Sequence, residues 1–353
     1  MSIIDKPSDY FNTKLYSGTG SELALTGVGF APNWIWIKHR NEANPHKIFD
    51  TVRGVGKSLK SNSTDVEASN EENGYVSAFG SDGFTLVGGS TSSNDVNKSS
   101  GSYVAWNWKA ETSFTNDASG TGIGSIDSAG SFNNDSGFSI VSYTGTGSAG
   151  TIKHGLSTAP KMIIQKNRDE TQPWWTYVES IGAGGQLRLN ATNAAGSDGA
   201  TLWNSTAPTS SVFSVGDNTG TNGSADKCIA YCFAEKQGYS KFGSYTGNGN
   251  ADGTFVYTGF KPAFVLCKNT GNSGAQWLMV DNKRVGINPI ENYVQANSSS
   301  AEATGTDNYD FLSNGFKCRS TNSWNNQSGY NIIYMAFAEN PFVTSTGVPA
   351  TAR

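Results

Sequence analysis

The chain repeats itself three times, and that repeat constrains its fold more than any other feature. Leu15 to Gly20 (LYSGTG) returns as Ser142 to Gly147 (SYTGTG) and again as Ser244 to Gly249 (SYTGNG). A proline then opens a strand-like block in each copy: Pro32 to Arg40 (PNWIWIKHR), Pro160 to Arg168 (PKMIIQKNR) and Pro262 to Thr270 (PAFVLCKNT). This places Lys38, Lys166 and Lys268 in one column. His46 to Asp50 (HKIFD), Trp175 to Glu179 (WTYVE) and Trp277 to Asp281 (WLMVD) follow, each ending in a carboxylate. Each copy closes on an apolar run, Tyr103 to Ala110, Cys228 to Glu235 or Ile332 to Glu339, with a weaker block before it at Phe84, Phe213 and Phe316.

The period is about 103 residues, and a unit of about 100 residues can bury its own core, unlike a solenoid repeat. Turn formers (42 Gly, with much Ser, Thr, Asn and Asp) beside 12% aromatics predict many short strands. Runs such as Trp34 to Ile37 are apolar at every position, so both faces of those strands are covered. The predicted fold is all-β: three tandem, similar β-sandwich domains, jelly-roll or lectin-like, at 11–111, 137–238 and 239–342. Residues 1–10 read as an N-terminal arm and 343–353 as a C-terminal tail. Residues 112–136 read as a flexible linker that sets the first domain apart, although Ile123, Ile126 and Phe132 give it some capacity to dock. The second and third domains, joined without a linker, are predicted to be rigidly coupled.

Charge and motifs point away from several functions. The formal net charge is −4, and no basic face for phosphates is visible, so nucleic acid is not an expected partner. No apolar run approaches the roughly 20 residues that cross a bilayer, and the first residues lack the pattern of a secretory signal. Cys228 and Cys232 share a strand face roughly 13 Å apart, too far for a disulfide. With histidine only at 39, 46 and 154, no zinc spacing exists, and no cofactor or metal is expected.

Gly145, Gly147 and Gly150 match a dinucleotide-loop spacing, but Gly155 and Pro160 deny the helix that loop requires, so a tight turn is the reading. Asp50, Glu179 and Asp281 recur singly, whereas glycoside hydrolysis needs two carboxyls in one cleft. Pairing with the recurrent lysines is their simpler role. No catalytic residue is assigned. Aromatics in polar loops, Trp174, Trp203, Trp324 and Tyr330, are the candidate binding residues, stacking on sugars or anchoring a partner. The competing reading is that each covers a domain junction. Trp174 is expected to face away from Trp175, which aligns with Trp277.

The Ile4 to Phe11 segment (IDKPSDYF), Gly29 to Arg40 (GFAPNWIWIKHR), Phe49 to Gly54 (FDTVRG) and Gly83-Phe84 resemble the first copy of a β domain repeated in virion proteins of marine tailed phages. Gly137 to Gly147 (GFSIVSYTGTG), His154-Gly155 and Ala159 to Arg168 (APKMIIQKNR) resemble its second copy. The resemblance to these cyanophage and pelagiphage proteins covers about 240 residues. It implies a non-enzymatic structural protein of the virion, assembled in the host cytoplasm, in a tail fibre or similar appendage. Implied partners are other virion proteins, a host surface glycan or receptor, and further copies of itself, a trimer first. A head-decorating or tail-scaffold role is the alternative.

Overall fold

Each repeat folds into an antiparallel sheet whose first strand pairs with its last. The computed structural model describes residues 4–89 and 95–350, the side chains of 306–308 excepted. In unit one the strand order is Phe11–Ser17, Ser102–Trp108, Trp34–His39, Lys47–Asp50. Unit two runs Phe138–Thr144, Lys227–Phe233, Met162–Asn167, Trp175–Val178, Leu187–Arg188. Unit three runs Ser240–Thr246, Asn331–Pro341, Phe260–Asn269, Trp277–Asp281, Ile290–Gln295. The register is kept: Phe11 faces Trp108, Phe138 faces Phe233, and Ser240 faces Phe337. Helices are short, the longest being Gly199–Trp203, and the chain is all-β.

The turn that leaves each first strand needs glycine. Gly20, Gly147 and Gly249 have φ of 76°, 72° and 68°, a region closed to most side chains. A buried asparagine locks each turn: Asn97, Asn222 and Asn326 accept from the amides of Thr19, Thr146 and Asn248 at 2.8, 2.8 and 3.0 Å.

Alternate residues of a strand face opposite sides, and here both sides are dry. Trp34, Trp36, Trp106 and Trp108 point into one core with Met162, Ile164, Tyr231 and Phe233 of unit two and Phe264, Leu266, Met335 and Phe337 of unit three. Their neighbours Ile35 and Ile37, Ile163 and Cys232, and Val265 and Cys267 face three separate outer cores. Smaller strands cover those outer faces: Leu23–Leu25 with Gly83–Val87, Gly150–Lys153 with Val212–Val215, and Phe255–Tyr257 with Gly315–Cys318. Each unit is thus a two-layer sandwich whose inner sheet turns to a core shared by all three.

Each unit therefore has an outer core of its own, and the inner faces add a core that no unit closes alone. The inner faces carry more aromatic surface than one sandwich can cover, so the rings pack across units: Trp34 on Tyr231 (4.6 Å), Phe11 on Phe337 (5.1 Å) and Phe233 on Phe337 (6.2 Å). Hydrogen bonds close the ring. The indole of Trp174 donates to the Lys60 carbonyl of unit one at 2.8 Å, and that of Trp277 to the Arg188 carbonyl of unit two at 2.9 Å. His46 Nε2 lies 3.0 Å from the Gln295 carbonyl of unit three. Equivalent residues therefore make equivalent contacts in a closed cycle, which is an approximate threefold rotation.

Residues 112–136 are not a flexible linker. Thr112–Asn116 and Ser128–Asn133 form a hairpin that extends the inner sheet of unit two from the edge of Phe138–Thr144. A Gly- and Ser-rich stretch can do this because an open sheet edge supplies the backbone partners, and Phe114 and Phe132 supply the packing. The first unit is accordingly not set apart. The arms also fold back: Ile4 is buried, and Ser345 donates its amide to Asp5 at 2.7 Å. Residues 1–3 and 351–353 lie outside the described residues.

Candidate functional site

The four loop aromatics do not converge. Trp174 is wholly buried and takes the shared-core position that Trp277 takes in unit three, because Val178 and Asp281 hold equivalent registers opposite Met162 and Phe264. The alignment of Trp175 with Trp277 is therefore one residue out. Trp175 turns to the outer face, where the Arg188 guanidinium lies 4.9 Å from its ring centre. Trp203 is buried at the end of its helix, edge-on to Tyr177. Trp324 is half-buried against the outer core of unit three. Tyr330 alone of the four is exposed, at 38%, its ring laid over Gly271. Their size explains the outcome: an indole buries on the order of 200 Å², and polar loops fold down around it.

The recurrent carboxylates do not pair with the recurrent lysines. Lys38, Lys166 and Lys268 are buried and donate to backbone carbonyls of their own loops. Lys38 and Lys268 also reach the next unit, at Ser299 and Thr192, both at 3.1 Å. Burial pulls each ammonium down to about 8. Glu179 pairs instead with Lys161 on the surface.

Asp50 and Asp281 sit in two buried networks that reading by single motifs misses. Asp50 binds Arg53, which also reaches Glu67, and Glu67 binds Arg168 of unit two through two bonds of 2.9 and 2.8 Å. Tyr231 of unit two donates to Asp50 at 2.7 Å. At the next junction Asp281 binds Arg284 (2.6 Å), Arg284 binds Glu302 (3.0 Å), and Glu302 binds Arg40 of unit one at 3.0 and 2.8 Å. Trp106 of unit one donates to Asp281 at 3.1 Å. Burial raises the Glu302 carboxyl, but Arg40 and Arg284 outweigh it and hold it below the usual range. At the third junction the same positions are Val178, Ile181, Ala195, Thr270 and Met335. Only the backbone rung remains, Ala195 to Thr270 at 2.7 Å. The shared Asp-x-x-Arg spacing at 50/53 and 281/284, set against Val178 and Ile181, was the available signal.

The buried carboxylates Asp50 and Asp281 are thus engaged with arginines, and the three recurrent lysines with backbone carbonyls. All four cysteines are buried and none forms a disulfide among the described residues, and burial pushes Cys228 up to about 12. Among the described residues no three His, Cys, Asp or Glu side chains converge as metal ligands would.

A groove of about 550 Å³ lies on unit three between Glu235–Lys241, Tyr257–Gly259 and Phe342–Val343. Tyr257 is 59% exposed and Phe342 38%, while Lys241 holds Glu235 at 2.7 Å. Exposed aromatics beside a fixed charge pair can bind the apolar and polar parts of a ligand. No signal singled out this groove in the sequence, since Tyr257 and Phe342 resemble any strand aromatics.

No curated protein matches the chain. One family model, described as Domain of unknown function (DUF7483), matches residues 6–341 as a single domain that spans all three units. The chain belongs to the DUF7483 family.

Proposed function

We propose that this protein is a non-enzymatic structural component of a phage particle, in a tail fibre or similar appendage. The observation that carries the reading is the closed ring. Three sandwiches share one aromatic core, and two of their three junctions are stapled by buried ion networks, so the chain is a single stiff body. Such a body suits a projection that transmits load and resists proteolysis. The Asp50–Arg53–Glu67 and Asp281–Arg284–Glu302 networks lie at junctions, which supports a structural role for them. The segments Gly29 to Arg40 and Ala159 to Arg168, which resemble the repeated virion domain, supply the biological setting.

Host glycan or receptor recognition, in this reading, belongs to exposed aromatics such as Tyr330 rather than to Trp174 or Trp203. Partner virion proteins, or further copies of the chain, would meet its outer surfaces, because the inner faces already meet one another.

Labelling purified particles with an antibody to the chain tests the proposal. Label on the tail or its appendages is the expected result. Label on the head would favour the decorating role, and no label on particles that carry the gene would end the proposal.

A further inference from the structure

The approximate threefold symmetry makes the groove on unit three interpretable, because unit two shows the same place filled. There the strand Ser128–Asn133 (SAGSFN) adds antiparallel to Phe138–Thr144, with Phe132 opposite Ser139. Phe132 and Phe114 then lie over Gly155. A Cβ added at Gly155 would come 2.8 Å from the Phe132 ring and 3.2 Å from that of Phe114.

In unit three the corresponding edge is Ser240–Thr246, the last strand of its sheet. Lys241 corresponds to Ser139, and Gly259 (φ 81°) to Gly155 (φ 79°). The edge is closed at its start, where Ser240 donates to the Lys236 carbonyl at 2.9 Å, and at its end, where the Thr254 hydroxyl donates to the Thr246 carbonyl at 2.7 Å, which leaves the stretch between them open. Glu235 reaches the Phe242 amide at 3.4 Å, which shows that this amide, and with it that of Ser244 two residues on, faces outward. No strand covers Phe242–Thr246 among the described residues. Where unit two holds two phenylalanine rings, unit three has the open groove beside Tyr257, Gly259 and Phe342.

Unit one also ends its sheet on an edge strand, Phe11–Ser17, but there Asn12 turns its side-chain amide onto the Val28 carbonyl at 2.9 Å.

We propose that the edge Phe242–Thr246 with its adjoining groove is an acceptor for an extended strand of a partner protein. The strand pairs antiparallel, carries small polar residues, and places one aromatic side chain near its C-terminal end over Gly259. Main-chain bonds would give the affinity and the groove the specificity, as in strand addition generally. The molecule's own Ser128–Asn133 is the pattern for the occupant.

The probe is a fluorescein-labelled peptide of residues 126–134 (IDSAGSFNN), titrated against the intact protein by anisotropy. Saturable binding is expected. Ser244→Pro, which removes one outward amide at an edge where proline is tolerated, should weaken it at least tenfold. Tyr257→Ala and the Phe132→Ala peptide should do the same, while circular dichroism of both protein variants stays that of the parent. No saturation at millimolar peptide would overturn the proposal. So would binding indifferent to Ser244→Pro, which would mean strand exchange at unit two. Displacement of the peptide by a soluble oligosaccharide whose own binding needs Tyr257 but not the Ser244 amide would assign the groove to a sugar instead. These outcomes are independent of where the protein sits on a particle.

Discussion

The junction between units one and two and the junction between units two and three are the same piece of backbone built with opposite chemistry. The first buries Asp50, Arg53, Glu67, Arg168 and the Tyr231 hydroxyl in one network. The second puts Val178, Ile181, Ala195, Thr270 and Met335 at the corresponding positions, and all of these but Thr270 pack on the same core. All five positions change together, and the reason is physical. A buried charge without its partner is far more costly than either a complete network or none, so intermediate mixtures are unstable. The ionic junctions therefore specify which faces meet, and the apolar one shows that adhesion does not require charge.

The largest effect should come from leaving a network half-built. Arg53→Met keeps the volume but strands Asp50, whose side chain is fully buried, and should cost about 3–5 kcal/mol, read as a fall in the urea midpoint. Installing the complete apolar set in the same place is the sharper version. Asp50→Val, Arg53→Ile, Glu67→Ala, Arg168→Thr and Tyr231→Met together should leave stability within about 1–2 kcal/mol of the parent or raise it. A loss as large as that of Arg53→Met alone would show that the two chemistries are not interchangeable.

Next in size is a pH effect peculiar to the cycle of ring contacts. Where units two and three use Trp174 and Trp277, unit one uses His46, whose Nδ1 accepts from the Trp36 indole at 2.8 Å while Nε2 donates to Gln295. Burial holds its pKa well below 6.5, so the folded ring stays neutral when the unfolded one takes a proton. Stability from this residue is complete above pH 6.5 and falls below it, by at most about 1.4 kcal/mol per pH unit. Replacing the pair by its unit-three counterpart, Trp36→Leu with His46→Trp, should flatten the fall between pH 6.5 and 5 by about 1–2 kcal/mol in urea titrations. His39 and His154, also held low by burial, would account for the slope that remains.

Much of this architecture could be read from the residues, and the limits have identifiable causes. Inner strands such as Trp34–His39 were legible because a run apolar at every position must be covered on both sides. What covers the second side was not, since a run cannot say whether its neighbour is a layer of the same sandwich or another unit. The hairpin at 112–133 was hidden because its strands owe their order to a sheet edge rather than to their own composition. Trp174 was misplaced by one residue in a block where adjacent tryptophans fit either register. Tyr330 was rightly placed on the surface, but the groove at Tyr257 emerges only when Gly155 and Gly259 are seen to be equivalent.

The smallest effect is expected where the three units diverge at the surface. The backbone rung after each third strand is the same: Thr51 to Asn33 at 2.9 Å, Glu179 to Lys161 at 2.8 Å, and Asn282 to Ala263 at 2.9 Å. The side chains on that rung are a neutral contact in unit one, the Lys161–Glu179 ion pair in unit two, and no contact in unit three, where Ala263 has nothing to offer the Asn282 amide. The ion pair is 33% and 55% exposed, so water and salt screen it and side-chain entropy opposes it. A double-mutant cycle with Lys161→Ala and Glu179→Ala should give a coupling of about 0.2–1 kcal/mol that shrinks toward zero in 0.5 M salt. A coupling of several kcal/mol would mean that this rung stabilises unit two as strongly as the buried networks staple the junctions, and the contrast between stapling junctions and decorative surface pairs would have to be abandoned.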